Sequence, residues 1–128
     1  MQDYKKLKVW EKGHALAMLT YKLTKKFPKE ELYGLTSQMR RAASSIPANI
    51  AEGCGRGSQA ELRRFLTIAS GSASELDYHA YLSKDLALLS DESYSEIHSH
   101  ITELRKMLNA FIQTLTTNNQ KLTTEVLP

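Results

Sequence analysis

Apolar residues recur at helical spacing in four separate segments, and this recurrence constrains the fold more than any other feature of the sequence. In the clearest segment, from Tyr94 to Leu115, successive apolar residues are alternately three and four positions apart. Such a heptad seam places one apolar stripe along a helix. Shorter stripes of the same kind run through residues 9–27, 32–50 and 62–80. The sequence therefore predicts four amphipathic helices.

The connections between these segments are short, and strand signals are nearly absent, because no alternating run is bounded by Asn-Gly or Asp-Gly turns. We expect an all-α fold, an antiparallel up-and-down four-helix bundle. One domain over residues 1–117 would be followed by a flexible tail over 118–128. Residues 7–10 and 80–89 are apolar on more than one helix face. A single small bundle leaves part of that surface uncovered, so identical chains are expected to assemble.

The charge of the chain is mildly basic and unevenly distributed. Seventeen basic and 14 acidic residues give a net charge of +3, but residues 1–30 carry +5 and residues 66–100 carry −5. The basic region predicts a surface for a polyanion such as RNA or DNA, and ordinary solvated faces are the alternative. The candidate nucleic-acid-binding residues are Lys5, Lys6, Lys8, Lys12, Lys22, Lys25, Lys26, Lys29, Arg40, Arg56, Arg63 and Arg64.

The stretch NIAEGCGRGS, residues 49–58, contains three glycines at alternate positions. A nucleotide-binding loop needs a strand before it, and here the preceding residues have helical spacing. We predict a turn instead, in which Gly53 or Gly55 adopts a left-handed conformation and ends the second helix. Ser58 and Glu61 then form a capping box at the start of the third helix. The alternative is a phosphate site at that helix start, surrounded by Arg56, Arg63 and Arg64.

Two residues are unusual inside their helical segments. Pro47 removes a backbone hydrogen bond, so it predicts a kink, and the alternative is a true break with Ser45 capping a new helix. Gly71 costs a helix about 1 kcal/mol relative to alanine, which favours a close approach of two helix backbones at this position.

No catalytic, cofactor-binding or metal-binding residues are predicted. The chain has no Glu-x-x-His motif and no Gly-x-Ser-x-Gly elbow. Polar residues beside the core positions are expected to form a structural network in which Arg41 pairs with Glu75 or Glu52, and an active site is the alternative. The members of that network are Gln38, Arg41, Asn49, Glu52 and Glu75.

The segments KVWEKGHALAMLTYKLTKKFP, GLTSQMRRAASSIPANIAEGCGR and FLTIASGSASEL resemble the family of bundle proteins encoded within 23S ribosomal RNA intervening sequences. The resemblance covers about residues 5–90, is most specific in QMRRAASSIPANIAEG, and weakens after Leu76. It implies a closed four-helix bundle and a ring of identical chains, five in number, with no known catalysis. A more distant resemblance, to the accessory protein of diversity-generating retroelements, implies association with nucleic acid.

These observations predict a non-enzymatic, self-assembling helical bundle that acts as a nucleic-acid-binding adaptor. The single cysteine excludes an internal disulfide, and no run of 18 apolar residues is present, so a cytoplasmic protein that does not cross a membrane is expected. The alternative is a protein-interaction scaffold, in which the apolar surface of residues 80–89 docks a different protein. No cofactor is expected in either case.

Overall fold

The structure is a computed structural model that describes the backbone of residues 2–126 and the side chains of residues 2–116. Four α-helices follow one another: α1 is Lys8–Thr24, α2 is Leu35–Gly55, α3 is Gln59–Asp85 and α4 is Asp91–Val126. Short 3₁₀ turns at Tyr4–Lys6 and Lys29–Glu31 precede α1 and α2. No strand occurs in residues 2–126, and the all-α prediction is confirmed for this part of the chain.

The four predicted apolar stripes meet in one core, except that Leu32, predicted as the first residue of the second stripe, precedes α2 and is exposed. Each helix packs against the next along the chain, and α1 also packs against α4. Burying a large aliphatic side chain stabilises a fold by about 1.5–3 kcal/mol relative to leaving it exposed, so a seam of such residues holds a helix firmly. The heptad seam of α4 lies in this core with Tyr94 and Phe111 half-buried and with five residues buried, namely Ile97, Ile101, Leu104, Leu108 and Leu115.

The first two prolines have different effects on the helices: Pro28 lies between α1 and α2, and Pro47 lies inside α2. Pro28 has extended backbone angles (φ −65°, ψ 154°), and it separates α1 from α2. Pro47 is buried inside α2, and the helix continues past it to Gly55. The alternative of a break with a new helix capped by Ser45 is therefore wrong, and a kink at Pro47 stays a prediction.

Close helix packing occurs at different glycines from the one predicted. A Cβ atom at Gly71 would meet nothing within 4 Å, and Gly71 is exposed. The expected close backbone approach at Gly71 is therefore wrong. A Cβ at Gly53 would instead lie 3.0 Å from Cβ of Phe65 on α3, and one at Gly13 would lie 3.2 Å from Cγ2 of Ile46 on α2.

The two stretches predicted to leave apolar surface differ in the structure. In residues 7–10 Val9 is buried, and the half-buried Trp10 lies edge-on to the ring of Tyr4 at 5.0 Å. This stretch is thus largely covered by its own chain, contrary to expectation. In residues 80–89 Tyr81 and Leu86 remain 47% and 54% exposed, as expected of uncovered apolar surface.

The last helix extends further than the predicted domain boundary. The backbone of α4 is helical to Val126, which includes most of the predicted tail over 118–128. Residues 127–128, and the side chains from 117 onward, lie outside the described residues, so the flexibility of that tail stays a prediction. No helix within residues 2–126 combines the length and the apolar character needed to cross a membrane.

Candidate nucleic-acid interface

The twelve predicted cations lie in two groups, one at each end of α1. Because α1 has 17 residues, its ends are about 25 Å apart. The first group, the linker cluster, lies where α1 connects to α2 and consists of Lys22, Lys25, Lys26, Lys29 and Arg40. The second, the amino-terminal cluster, lies where α2 connects to α3 and the chain begins, and it consists of Lys5, Lys6, Lys8, Lys12, Arg56, Arg63 and Arg64.

Carboxylates neutralise part of the positive charge of the amino-terminal cluster. Lys12 Nζ lies 3.0 Å from Glu103 Oε1 on α4, and Arg56 lies 3.2 Å from Glu52 on its own helix. Arg64 Nε donates to Glu61 Oε2 at 2.8 Å, and this hydrogen bond lowers the pKa of the Glu61 carboxyl. Three of the seven cations in this group are therefore already paired with acids.

The linker cluster has no such pairing. All four of its lysines are exposed, and none forms an ion pair with a side chain of residues 2–116. The nearby Glu31 carboxylate is engaged elsewhere, since its Oε1 accepts a hydrogen bond from the Leu35 backbone N–H at 3.2 Å. The charges of the linker cluster are thus available to an anion from outside the chain.

Arg40 is the one cation of the linker cluster whose side chain makes a hydrogen bond and a ring contact within residues 2–116. Its Nε donates to Thr24 Oγ1 at 2.9 Å, and the guanidinium lies 4.8 Å from the centre of the Tyr21 ring. Thr24 is buried and donates its own hydroxyl to the Thr20 carbonyl at 2.8 Å, which fixes the acceptor. Arg40 is therefore held between α1 and α2 by contacts from both the hydroxyl and the ring.

A surface cavity of about 240 Å³ opens beside Arg40. Its apolar lining residues are Phe27, Pro28 and Leu32, and two threonines, Thr24 and Thr36, also line it. The cations at its edge are Lys25, Lys29 and Arg40. We name this feature the linker cavity. The sequence analysis identified these cations, but it placed Leu32 on an apolar stripe and did not single out Tyr21, whose ring lies beside Arg40.

The α2–α3 junction follows the sequence prediction in its cap but not in its glycine. Gly57, not Gly53 or Gly55, has the left-handed backbone, with φ of 82°. Helix α2 runs through Gly55 before it ends, which moves the turn two residues along the chain. Ser58 caps α3 as predicted, because its Oγ accepts a hydrogen bond from the Glu61 N–H at 3.1 Å. The Glu61 side chain pairs with Arg64, so the second half of the capping box is replaced by an ion pair.

The predicted polar network is not assembled as expected. Gln38, Arg41, Glu52 and Glu75 are exposed, and only Asn49 is half-buried. Glu52 pairs with Arg56, and Glu75 lies 3.4 Å from His79, so the expected pairing of Arg41 with either acid is wrong. These side chains point outward because they lie beside, rather than on, the buried stripes of α2 and α3.

A smaller polar contact joins α2 to α3 instead. Asn49 Nδ2 donates to the Ser45 hydroxyl and carbonyl at 2.9 and 2.8 Å, and the Ser45 and Ser72 hydroxyls are 2.9 Å apart. Among the described residues, no three His, Cys, Asp or Glu side chains are grouped so that they could hold a metal ion.

The sequence analysis missed a polar and aromatic contact between α3 and α4. His98 Nδ1 lies 2.8 Å from Asp77 Oδ1, and the His98 ring stacks on Tyr94 with 5.4 Å between centres. Burial, and then the Asp77 charge, raise the pKa of the Tyr94 hydroxyl. Asp77 and His98 are 21 positions apart on different helices, so no local spacing could have indicated the pair.

Comparisons with known proteins identify relatives of this chain. The family described as 23S rRNA-intervening sequence protein matches residues 5–110. A crystal structure of a protein with unknown function from the S23 ribosomal protein family of Bacteroides thetaiotaomicron is similar, with a TM-score of 0.73 and 28% sequence identity. The similarity covers 81% of this chain and 97% of that one. No curated protein matches the chain. The more distant resemblance to the accessory protein of diversity-generating retroelements stays a prediction. The predicted resemblance to the intervening-sequence family is confirmed, and the chain belongs to the 23S rRNA-intervening sequence protein family.

Proposed function

We propose that this protein is a non-enzymatic, antiparallel up-and-down bundle that assembles with copies of itself in the cytoplasm and binds nucleic acid through the linker cluster. The observation that carries the proposal is the set of five cations in that cluster, none of which is paired with a carboxylate of residues 2–116. A phosphate backbone is the ligand that such a group of lysines binds best, because each contact releases a counterion.

The test is a titration of a fluorescently labelled RNA with the purified protein at about 50 mM and about 200 mM salt. The proposal predicts saturable binding at the lower concentration and a marked loss of affinity at the higher one. No binding at the lower salt concentration would overturn it.

Self-assembly is the second part of the proposal, and a ring of five chains is the form that the family resemblance implies. Exposed apolar side chains along α1 and α3 support it: Met18 is 62%, Ile68 40% and Tyr78 60% exposed. A ring of five chains at +3 each would carry +15, which would strengthen polyanion binding. Light scattering on the purified protein should give a mass about five times 14.5 kDa, and a mass of one chain at all concentrations would contradict assembly.

A protein-interaction scaffold is the alternative, and the exposure of Tyr81 and Leu86 at the end of α3 favours it. The two functions differ in whether the purified protein binds RNA, and Leu86→Ser tests whether the exposed apolar end of α3 takes part in that binding. If nucleic acid is the partner, this variant should bind RNA as the unaltered protein does, because Leu86 lies outside both basic clusters. The scaffold function instead predicts that the purified protein binds no RNA at either salt concentration.

A further inference from the structure

The linker cavity has two kinds of wall. Phe27, Pro28 and the 46% exposed Leu32 form an apolar side, while Lys25, Lys29 and Arg40 supply positive charge. No acidic residue is among the described residues that line it. An apolar face beside unpaired cations suits a flat, weakly polar group that is attached to an anion.

Arg40 adds a planar surface to this cavity. Its guanidinium is held by Thr24 and by the Tyr21 ring, and its Nη atoms have no acceptor among residues 2–116. Bases that are unstacked from their neighbours stack on arginine planes and on aromatic rings in single-strand-binding proteins. Arg40 lines the cavity, and the 43% exposed Tyr21 lies against its guanidinium, so the stacking surface that the cavity offers is the Arg40 plane.

We infer that the linker cavity receives an unstacked base of a single-stranded nucleic acid, while Lys25 and Lys29 contact the adjoining phosphates. This inference rests on the proposed nucleic-acid binding and goes beyond it by choosing the single strand over the duplex. In a duplex the base faces are covered by stacking, so only the phosphate backbone would reach the lysines. The apolar wall and the Arg40 plane would then contribute nothing.

The experiment compares three labelled RNAs of about 12 nucleotides: a single strand, the same strand with abasic nucleotides, and a hairpin whose loop is a non-nucleotide linker, so that it has no loop bases. All three carry the same number of phosphates. Base stacking contributes about 1–3 kcal/mol per base, so the intact single strand should bind about fivefold to a hundredfold more tightly than the abasic strand and the hairpin. Equal affinity for all three would overturn the inference but leave the proposed function intact, whereas no binding to any of them would overturn both.

Two variants identify the site within the protein. Arg40→Lys keeps the charge but removes the guanidinium plane, so it should abolish most of the preference for the intact strand, and it should lower the affinity for the hairpin much less than the affinity for the intact strand. Leu32→Ser, at an exposed position, should reduce the preference in the same way. Arg41→Lys is the matched control, because Arg41 is exposed and does not line the cavity. A preference that survives both Arg40→Lys and Leu32→Ser would overturn the assignment.

Discussion

At the scale of single residues, two glycines inside helices should respond oppositely to alanine. At Gly53 a new Cβ would lie 3.0 Å from Cβ of Phe65 and 3.4 Å from the Leu62 backbone, so α2 and α3 must move apart. We expect Gly53→Ala to destabilise the protein by about 1–3 kcal/mol. At Gly71 the same methyl meets nothing within 4 Å, and alanine should stabilise the helix by about 1 kcal/mol.

Urea unfolding followed by circular dichroism measures the free energy of unfolding of both variants, and each variant is the control for the other. A loss of stability in Gly71→Ala would show that a neighbouring chain packs on that position. Unchanged stability in Gly53→Ala would contradict the close approach of α2 and α3.

Cys54 gives a prediction for pH dependence. Its thiol is buried, and burial first, then the negative charge of Asp3, raise its pKa above the ordinary value of 9.0. The unfolded chain therefore releases this proton at a lower pH than the folded chain does. The stability associated with the protonated thiol is present below pH 9.0 and is lost as the pH rises through the folded-state pKa.

The corresponding measurement is the free energy of unfolding at several values between about pH 8 and about pH 10 for the unaltered protein and for Cys54→Ala. The variant should lose less stability over this range, because it has no thiol to titrate. Identical slopes for the two proteins would contradict the role assigned to Cys54.

At the scale of elements, the start of α3 depends on one side chain. The Ser58 hydroxyl accepts the Glu61 N–H, and removing such a cap costs about 1 kcal/mol. Ser58→Ala should lower the midpoint of urea unfolding accordingly. Ser99→Ala, at an exposed position of α4, should change the stability by less than about 0.5 kcal/mol. Equal effects of the two substitutions would show that the cap contributes nothing.

The elements themselves could be predicted from the sequence because their signals are local. The heptad seam of α4, the Pro28 break and the Ser58 cap each depend on residues within a few positions of one another. The polar pairs could not be predicted, because Asp77 and His98 come together only when α3 packs on α4. The same reason explains the wrong prediction at Arg41. Its partners were chosen because Glu52 and Glu75 carry the opposite charge, and the sequence does not show where those side chains lie relative to Arg41.

At the scale of the whole molecule, the sequence predicted that residues 1–30 are basic but not how the fold divides the predicted cations into two clusters. The cations of residues 1–30 look continuous in the sequence, yet α1 carries them to two ends about 25 Å apart. Carboxylates from α2, α3 and α4 then pair with part of one end only. Glu52 and Glu61 are only four and three positions from the arginines that they pair with, whereas Glu103 reaches Lys12 only because α4 packs against α1. The full difference between the two clusters therefore appears only in the folded structure.

This difference leads to a comparison of two double variants with the same total charge. Lys25→Glu with Lys29→Glu alters the linker cluster, and Lys6→Glu with Lys8→Glu alters the amino-terminal cluster. Each pair changes the net charge from +3 to −1, so long-range electrostatic effects are matched. Any difference between them therefore reports where the nucleic acid binds.

The most direct test of the central claim is the affinity of these two proteins for a labelled single-stranded RNA as a function of salt concentration. The linker pair should lose about tenfold or more in affinity, and the slope of log affinity against log salt should become shallower by about 1.4, at 0.7 for each lost phosphate contact. The amino-terminal pair should lose much less. Equal losses in both proteins, or a greater loss in the amino-terminal pair, would contradict binding through the linker cluster.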